Sequence, residues 1–149
     1  MKNPNNNNSK NGHIEIIARG IIIKNGKILL CKVKAKNNWF FPGGHVENGE
    51  TVKEALAREL QEEINVKPDS AEFIGINENK FIFQDEEHQE INVIFETKIS
   101  DTGVNCCEDH LEFSWFDLED LEEILILPEG LKEAVSGWTK DKKIFYCEQ

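Results

Sequence analysis

Long apolar runs are missing from this 149-residue chain. None approaches the roughly 18 residues that a membrane helix needs, so no transmembrane helix is expected. Cations are scarce as well. Lys plus Arg is 17 against 28 for Asp plus Glu, a net charge of -11. Affinity for nucleic acid rests largely on cations meeting phosphates, so the charge argues against a general DNA- or RNA-coating role and disfavours a decapping role on RNA. A polyanionic substrate remains admissible only where metal ions neutralise the site. The cysteines are Cys31, Cys106, Cys107 and Cys147, and no two have C-x-x-C spacing, which argues against a zinc ribbon. Four free thiols in a reducing cytoplasm are expected. Met1–Gly12 is Asn-rich and has no apolar stretch, so it reads as a disordered polar tail and not as a secretory signal. Residues 13–149 show no internal repeat and no linker, which predicts one domain.

The pattern that is present mixes strands and helices. Ile14–Ile23 and Lys27–Val33 read as two strands joined by Asn25-Gly26, a type I′ turn signal. Trp39-Phe40-Phe41 reads as a short strand stopped by Pro42-Gly43-Gly44. Thr51–Ile64 is the strongest helix, with Asn65 suited to a left-handed cap and Pro68 as a stop. Phe73–Phe83 and Ile91–Ile99 read as strands joined by an acidic loop, Gln84–Glu90. Leu111–Phe116 reads as a strand, and Leu118–Ile126 and Glu129–Val135 as helices, with Pro128 in the first turn of the second. Together they predict an α+β or mixed α/β sandwich.

The central helix carries the chemistry. At about 100° per residue, Glu59, Glu62 and Glu63 fall on one face and border the apolar stripe of Val52, Leu56, Leu60 and Ile64. A solvated acidic face is the alternative reading. Against it, like charges three and four apart repel, and Arg58 is the only nearby cation. Partly buried acids without counter-charges call for a bound cation, and oxygen-only ligands point to Mg²⁺ or Mn²⁺. Gly43-Gly44 lets the backbone approach a ligand closely and could offer a carbonyl to the metal; an ordinary tight turn is the alternative.

Gly44, five residues, Glu50, seven residues, then Arg58-Glu59-Leu60-x-Glu62-Glu63-x-Asn65-Val66 resembles the Nudix box, G-x5-E-x7-R-E-U-x-E-E-x-G-U, with U aliphatic. The box covers 23 of the 149 residues. Asn65 replaces the family's glycine, and Asn is the next-best residue at positive φ. The resemblance implies a Nudix-type α/β/α sandwich with a mixed central sheet and a loop-helix-loop motif, spanning residues 13–149. It implies Mg²⁺- or Mn²⁺-dependent attack of water on a nucleoside diphosphate linked to a further group. Glu59, Glu62 and Glu63 would hold metal, with the carbonyl of Gly43 or Gly44. Glu50 and Arg58 would form the motif's salt bridge. The general base varies in the family. Glu59 could serve, as could Glu112 or Glu108 in the later loop, and Glu112 is the expectation here. Each of the two could equally be surface charge.

Substrate contacts are legible only weakly. Arg19 in an isoleucine-rich strand could hold phosphate, or turn to solvent. Phe40, Phe81 and Phe83 could stack a base, or pack in the core. The proline that marks ADP-ribose pyrophosphatases is absent from its position, as is the tyrosine that marks dinucleoside polyphosphate hydrolases. The expected partner is a small nucleotide, with no membrane and no general nucleic-acid binding; a homodimer is compatible with the sequence. The other functional class to weigh is a non-catalytic nucleotide-sensing module on the same fold. Such modules usually lose box glutamates, which this chain keeps.

Overall fold

A computed structural model describes residues 13–100 and 103–149. The polar tail expected at Met1–Gly12 lies outside the described residues. Strands are β1 (Ile14–Ile21), β2 (Ile23–Lys24), β3 (Lys27–Val33), β4 (Gly43–His45), β5 (Ser70–Phe83), β6 (Glu86–Lys98), β7 (Leu111–Asp117) and β8 (Phe145–Glu148). Helices are α1 (Val52–Ile64) and α2 (Glu129–Asp141). A five-stranded sheet runs β4-β1-β6-β5-β8, and a three-stranded sheet runs β2-β3-β7. The larger sheet is mixed: β1 is parallel to β6 and β8 to β5, while β4 and β5 are antiparallel to β1 and β6.

Two cores follow from this layering. Leu56, Leu60 and Ile64 of α1 pack with Ala18, Ile22, Leu29 and Phe95. Leu131, Val135 and Trp138 of α2 pack with Ile21, Ile28, Leu30, Phe41, Ile74 and Ile94. Successive strand residues point to opposite faces, so β1 buries Ala18 under one helix layer and Ile21 in the other core. This is the mixed α/β sandwich that the pattern predicts. No helix among the described residues is long and apolar enough to cross a membrane.

Several elements differ from the sequence reading. Ile14–Val33 is not one hairpin. The chain leaves the larger sheet at Ile22, and only β2 and β3 pair around Asn25-Gly26. Trp39–Phe41 makes isolated bridges, Cys31 to Phe40 and Trp39 to Ile126. The strand proper is Gly43–His45, because β1 offers its edge there. The acidic loop shrinks to a turn at Gln84-Asp85, both at positive φ, and pairing resumes at Phe83–Glu86. Glu86 and Glu87 are exposed, so their charges do not oppose the ladder.

Leu118–Ile126 forms only a 3₁₀ turn over Leu118–Asp120. The backbone beyond it bonds Trp39 instead, through Trp39 N–H to the Leu125 carbonyl and Leu127 N–H to the Trp39 carbonyl. α2 runs six residues past the expected end because Trp138 continues the buried stripe of Leu131 and Val135.

Asn65 closes α1 in the left-handed region at φ 55°, donating its N–H to the Gln61 carbonyl at 3.1 Å. A left-handed residue with an ordinary side chain costs about 1–2 kcal/mol, less for Asn. Asn65→Ala should therefore lower unfolding stability in urea by about 1 kcal/mol, while Asn65→Gly should hold or raise it.

Candidate metal and hydrolysis site

The start of α1 is fixed by a capping box. Thr51 Oγ1 accepts the Glu54 N–H at 3.3 Å, and the Glu54 carboxylate accepts the Thr51 N–H at 2.7 Å. Glu54 is thereby tied to the cap and kept apart from the acids further along. The helix then presents Arg58 to the loop that follows β4, and Glu59 and Glu63 to the glycines of β4 itself, with Glu62 at the outer edge.

Arg58 organises this corner. Its Nε and Nη2 donate to the two Glu50 oxygens at 3.1 and 2.8 Å, a two-point ion pair between loop and helix. Nη2 also donates to the His45 carbonyl at 3.0 Å. Nη1 reaches Glu59 at 2.8 Å and Glu62 at 3.3 Å. The guanidinium, helped by the Glu47 N–H, holds the Glu50 carboxyl below the usual range. Lys53, on the first turn, extends over the Phe95 ring at 5.8 Å.

Glu63 lies deeper. It is 7% exposed, and its Oε2 has no hydrogen-bond partner. Burial pushes its carboxyl up to about 8, and the charges of Glu59 and Glu108 add to the shift. Arg19 and the Gly43 amide oppose it. Glu59 presses against the start of β4, where a Cβ on Gly44 would fall on the Glu59 carboxyl. Glycine is required by that approach. Glu62 is half-exposed at the outer edge.

An orphaned buried carboxylate oxygen, a second carboxylate against a bare backbone and an all-oxygen donor set fit a hard divalent cation. Among the described residues, no three His, Cys, Asp or Glu side chains already converge as a metal would require. Arg58 holds Glu59 and Glu62 in their present positions.

The remaining sequence candidates divide. The Glu108 loop is docked onto the end of α1 by the Cys107 N–H, which donates to the Glu63 carbonyl at 2.7 Å. The Glu108 carboxylate lies 3.4 Å from His110 Nδ1 and acts electrostatically on Glu63. Glu112 is not brought to the cluster. It pairs with Lys32 at 3.3 Å, opposite it in the β3–β7 ladder. Phe113, the next residue, faces α1, so Glu112 points to the other side of the sheet.

Arg19 is held by protein acceptors, Asn92 Oδ1 at 3.2 Å and the carbonyls of Phe41 at 3.1 Å and Gly43 at 3.4 Å. Its charge lies 5.4 Å from the centre of the Phe40 ring. Phe83 is exposed at the far end of β5, beside His88. The β6 register separates its row from that of Arg19 by roughly 25 Å, so Phe83 also stands apart. Two residues escaped the sequence reading: Asn77 and Asn92, both fully buried. Their signal was an Asn between isoleucine and another apolar or strand residue, in strands otherwise read for their apolar pattern.

The Glu63 shift has a measurable sign. The folded chain keeps that proton up to about pH 8, while the unfolded chain releases it near 4.5. Between those values the folded state binds more protons, so stability falls as pH rises. Metal-free protein should show a melting temperature that declines across this window, and Glu63→Gln should flatten the decline. Arg58→Ala should lower the melting temperature by a few degrees at any pH in that range, because it frees the Glu50 loop.

The NUDIX domain profile matches residues 15–137. The ADP-ribose pyrophosphatase of Methanocaldococcus jannaschii is 32% identical over 131 residues, 85% of this chain and 75% of that protein. The RNA pyrophosphohydrolase of Aeromonas hydrophila is 40% identical over 62 residues, 40% of this chain and 35% of that protein. In structure, the chain resembles a NUDIX hydrolase from Nitrosomonas europaea with a TM-score of 0.70 and 19% identity, covering 91% of this chain and 78% of that one. A buried glutamate, its neighbour against a bare glycine turn, and a loop pinned by Arg58 thus sit inside a domain matched over most of its length: the chain belongs to the Nudix hydrolase family and is a hydrolase of phosphoanhydride bonds.

Proposed function

We propose that this hydrolase cleaves the diphosphate linkage of a nucleoside diphosphate joined to a further group, with Mg²⁺ or Mn²⁺ held by Glu59, Glu62, Glu63 and the Gly44 carbonyl. The observation that carries the reading is the unpartnered Glu63 Oε2, buried beside Glu59. A carboxylate in that position is strongly disfavoured without a cation. When bound, the metal supplies charge neutralisation of the diphosphate and a lowered pKa for attacking water. Neutralisation is needed in a chain of net charge -11.

The chain's own residues divide the remaining work. Arg58 keeps the Glu50 loop against α1, so the Gly44 backbone stays beside Glu59. Glu108 is the base we favour over Glu112, to remove a proton from the attacking water. Its support is the docking of its loop on Glu63 and its electrostatic reach to that carboxyl. Glu59 is the second candidate, on the helix itself. Arg19 and Phe40 flank the glycine turn and are proposed as the substrate's contact surface. Among substrates, ADP-ribose is the first to test, because the relative named for it matches over most of this chain even though the proline that marks such pyrophosphatases is absent. The proposed substrates are small nucleotides.

A panel of ADP-ribose, nucleoside triphosphates, dinucleoside polyphosphates and capped RNA tests the reaction. Turnover of at least one member should need Mg²⁺ or Mn²⁺ and stop in EDTA. Full turnover in EDTA would remove the metal reading. General-base catalysis contributes typically about 10²–10⁴-fold. Glu108→Gln should lower kcat by that order with KM nearly unchanged, while Glu112→Gln should stay within a few-fold of wild type. If Glu108→Gln is active and Glu59→Gln is dead with Mn²⁺ still bound, the base is on the helix.

A further inference from the structure

Asn77 and Asn92 face each other across β5 and β6 with no exposure to solvent. Burying an amide costs free energy that a hydrogen bond only offsets, and an apolar pair of similar shape is often as stable. The bonds made by this pair run in one direction. Asn77 Nδ2 donates to Cys147 Sγ at 3.4 Å and to the Glu78 carbonyl at 3.4 Å. That leaves Asn77 Oδ1 to accept from Asn92 Nδ2 at 3.3 Å. Asn92 must therefore turn its Oδ1 the other way, where it accepts from Arg19 Nε at 3.2 Å. The amide orientation is set by its neighbour, and it sets the guanidinium plane in turn.

The guanidinium then grips the turn beside the glutamates. Nη1 donates to the carbonyls of Phe41 and Gly43. The next residue of β1 holds the same turn through its backbone, Gly20 N–H to the Pro42 carbonyl at 2.8 Å. Gly43 and Gly44 are the residues whose backbone meets Glu63 and Glu59. A rotation of the Arg19 fork would break or shift its bonds to two carbonyls and, through them, the peptide planes that face the carboxylates. Arg rather than Lys suits this task, since a planar fork fixes direction as well as charge.

We propose that Asn92, oriented by Asn77, is a positioning residue that fixes Arg19 and through it the Phe41–Gly44 segment leading into β4, setting the geometry of the divalent-cation site. The role rests on the hydrolase reading above. It assigns Arg19 first to that segment and only then to substrate.

The test uses the full chain and Mn²⁺ alone, without substrate. Asn92→Leu removes the acceptor at similar volume; Asn92→Asp keeps an acceptor for Arg19 and, in its protonated form, an O–H that donates to Asn77 Oδ1 as the amide did. Mn²⁺ affinity is read by titration calorimetry, melting temperature by calorimetry, and amide exchange of the 41–45 backbone by mass spectrometry in metal-free protein. Asn92→Leu should weaken Mn²⁺ binding about tenfold and speed exchange at 41–45, with exchange in α2 unchanged. Asn92→Asp should restore both to within about twofold of wild type.

Wild-type Mn²⁺ affinity in Asn92→Leu overturns the proposal. So does an Asn92→Asp as weak as Asn92→Leu, which would make the defect one of packing. If Asn92→Leu fails to fold, Arg19→Met removes the same grip from the other end, and normal Mn²⁺ affinity there also overturns it. A wild-type chain that binds no Mn²⁺ fails the metal reading itself and takes this role with it, an outcome distinct from the variant results.

Discussion

A single guanidinium holds the reactive corner together. Arg58 has five N–H donors, and the structure directs them at Glu50, Glu59, Glu62 and the His45 carbonyl. Without it, three carboxylates and the end of β4 would have no common partner. The pair with Glu50 joins residues eight apart, from the end of the loop that precedes the helix to the second turn of the helix itself. This cation also explains how an acidic helix face is stable before any ion arrives: Glu59 and Glu62 share the charge of Arg58. Glu63 cannot, because it is buried on the inner side, and it answers by staying protonated to higher pH.

The sandwich supports that corner by splitting one apolar run between two sheets. β1 belongs to the five-stranded sheet and β2 to the three-stranded one, with buried Ile22 at the crossing. The division lets α1 pack on both sheets at once, with Ala18 and Phe95 from one and Leu29 from the other. β4 can then be short. It needs only three residues against β1 to bring the glycine turn to the helix.

Legibility in the sequence tracked how local the physics is. α1 was readable because cap, stripe and acids lie within 15 residues, and Asn65 was readable because few residue types tolerate its φ. The family resemblance rests on the wider stretch Gly44–Val66, which adds Gly44 and Glu50 to that segment. Ile22 was not readable as a crossing point: nothing in an isoleucine run says which sheet each residue joins. The 118–126 stretch looked helical because its apolar spacing fits, but Trp39, some 86 positions earlier, captures its backbone groups. Glu112 failed to reach the cluster for a reason of strand parity. One residue along β7 decides the face, and only the ladder with β3 fixes that parity. Asn77 and Asn92 acquire meaning only when β5 and β6 are in register.

The tether between Cys107 and Glu63 uses two backbone groups and no side chain. Two segments more than forty positions apart are thus coupled through a peptide N–H that every residue but proline possesses. Position 107 is therefore chemically permissive: serine, alanine or a labelled cysteine all keep the link. Proline alone would release the loop from the helix while leaving every ionisable group in the corner unchanged. The chain thereby offers a means to separate the reach of the later loop from the charge of the site.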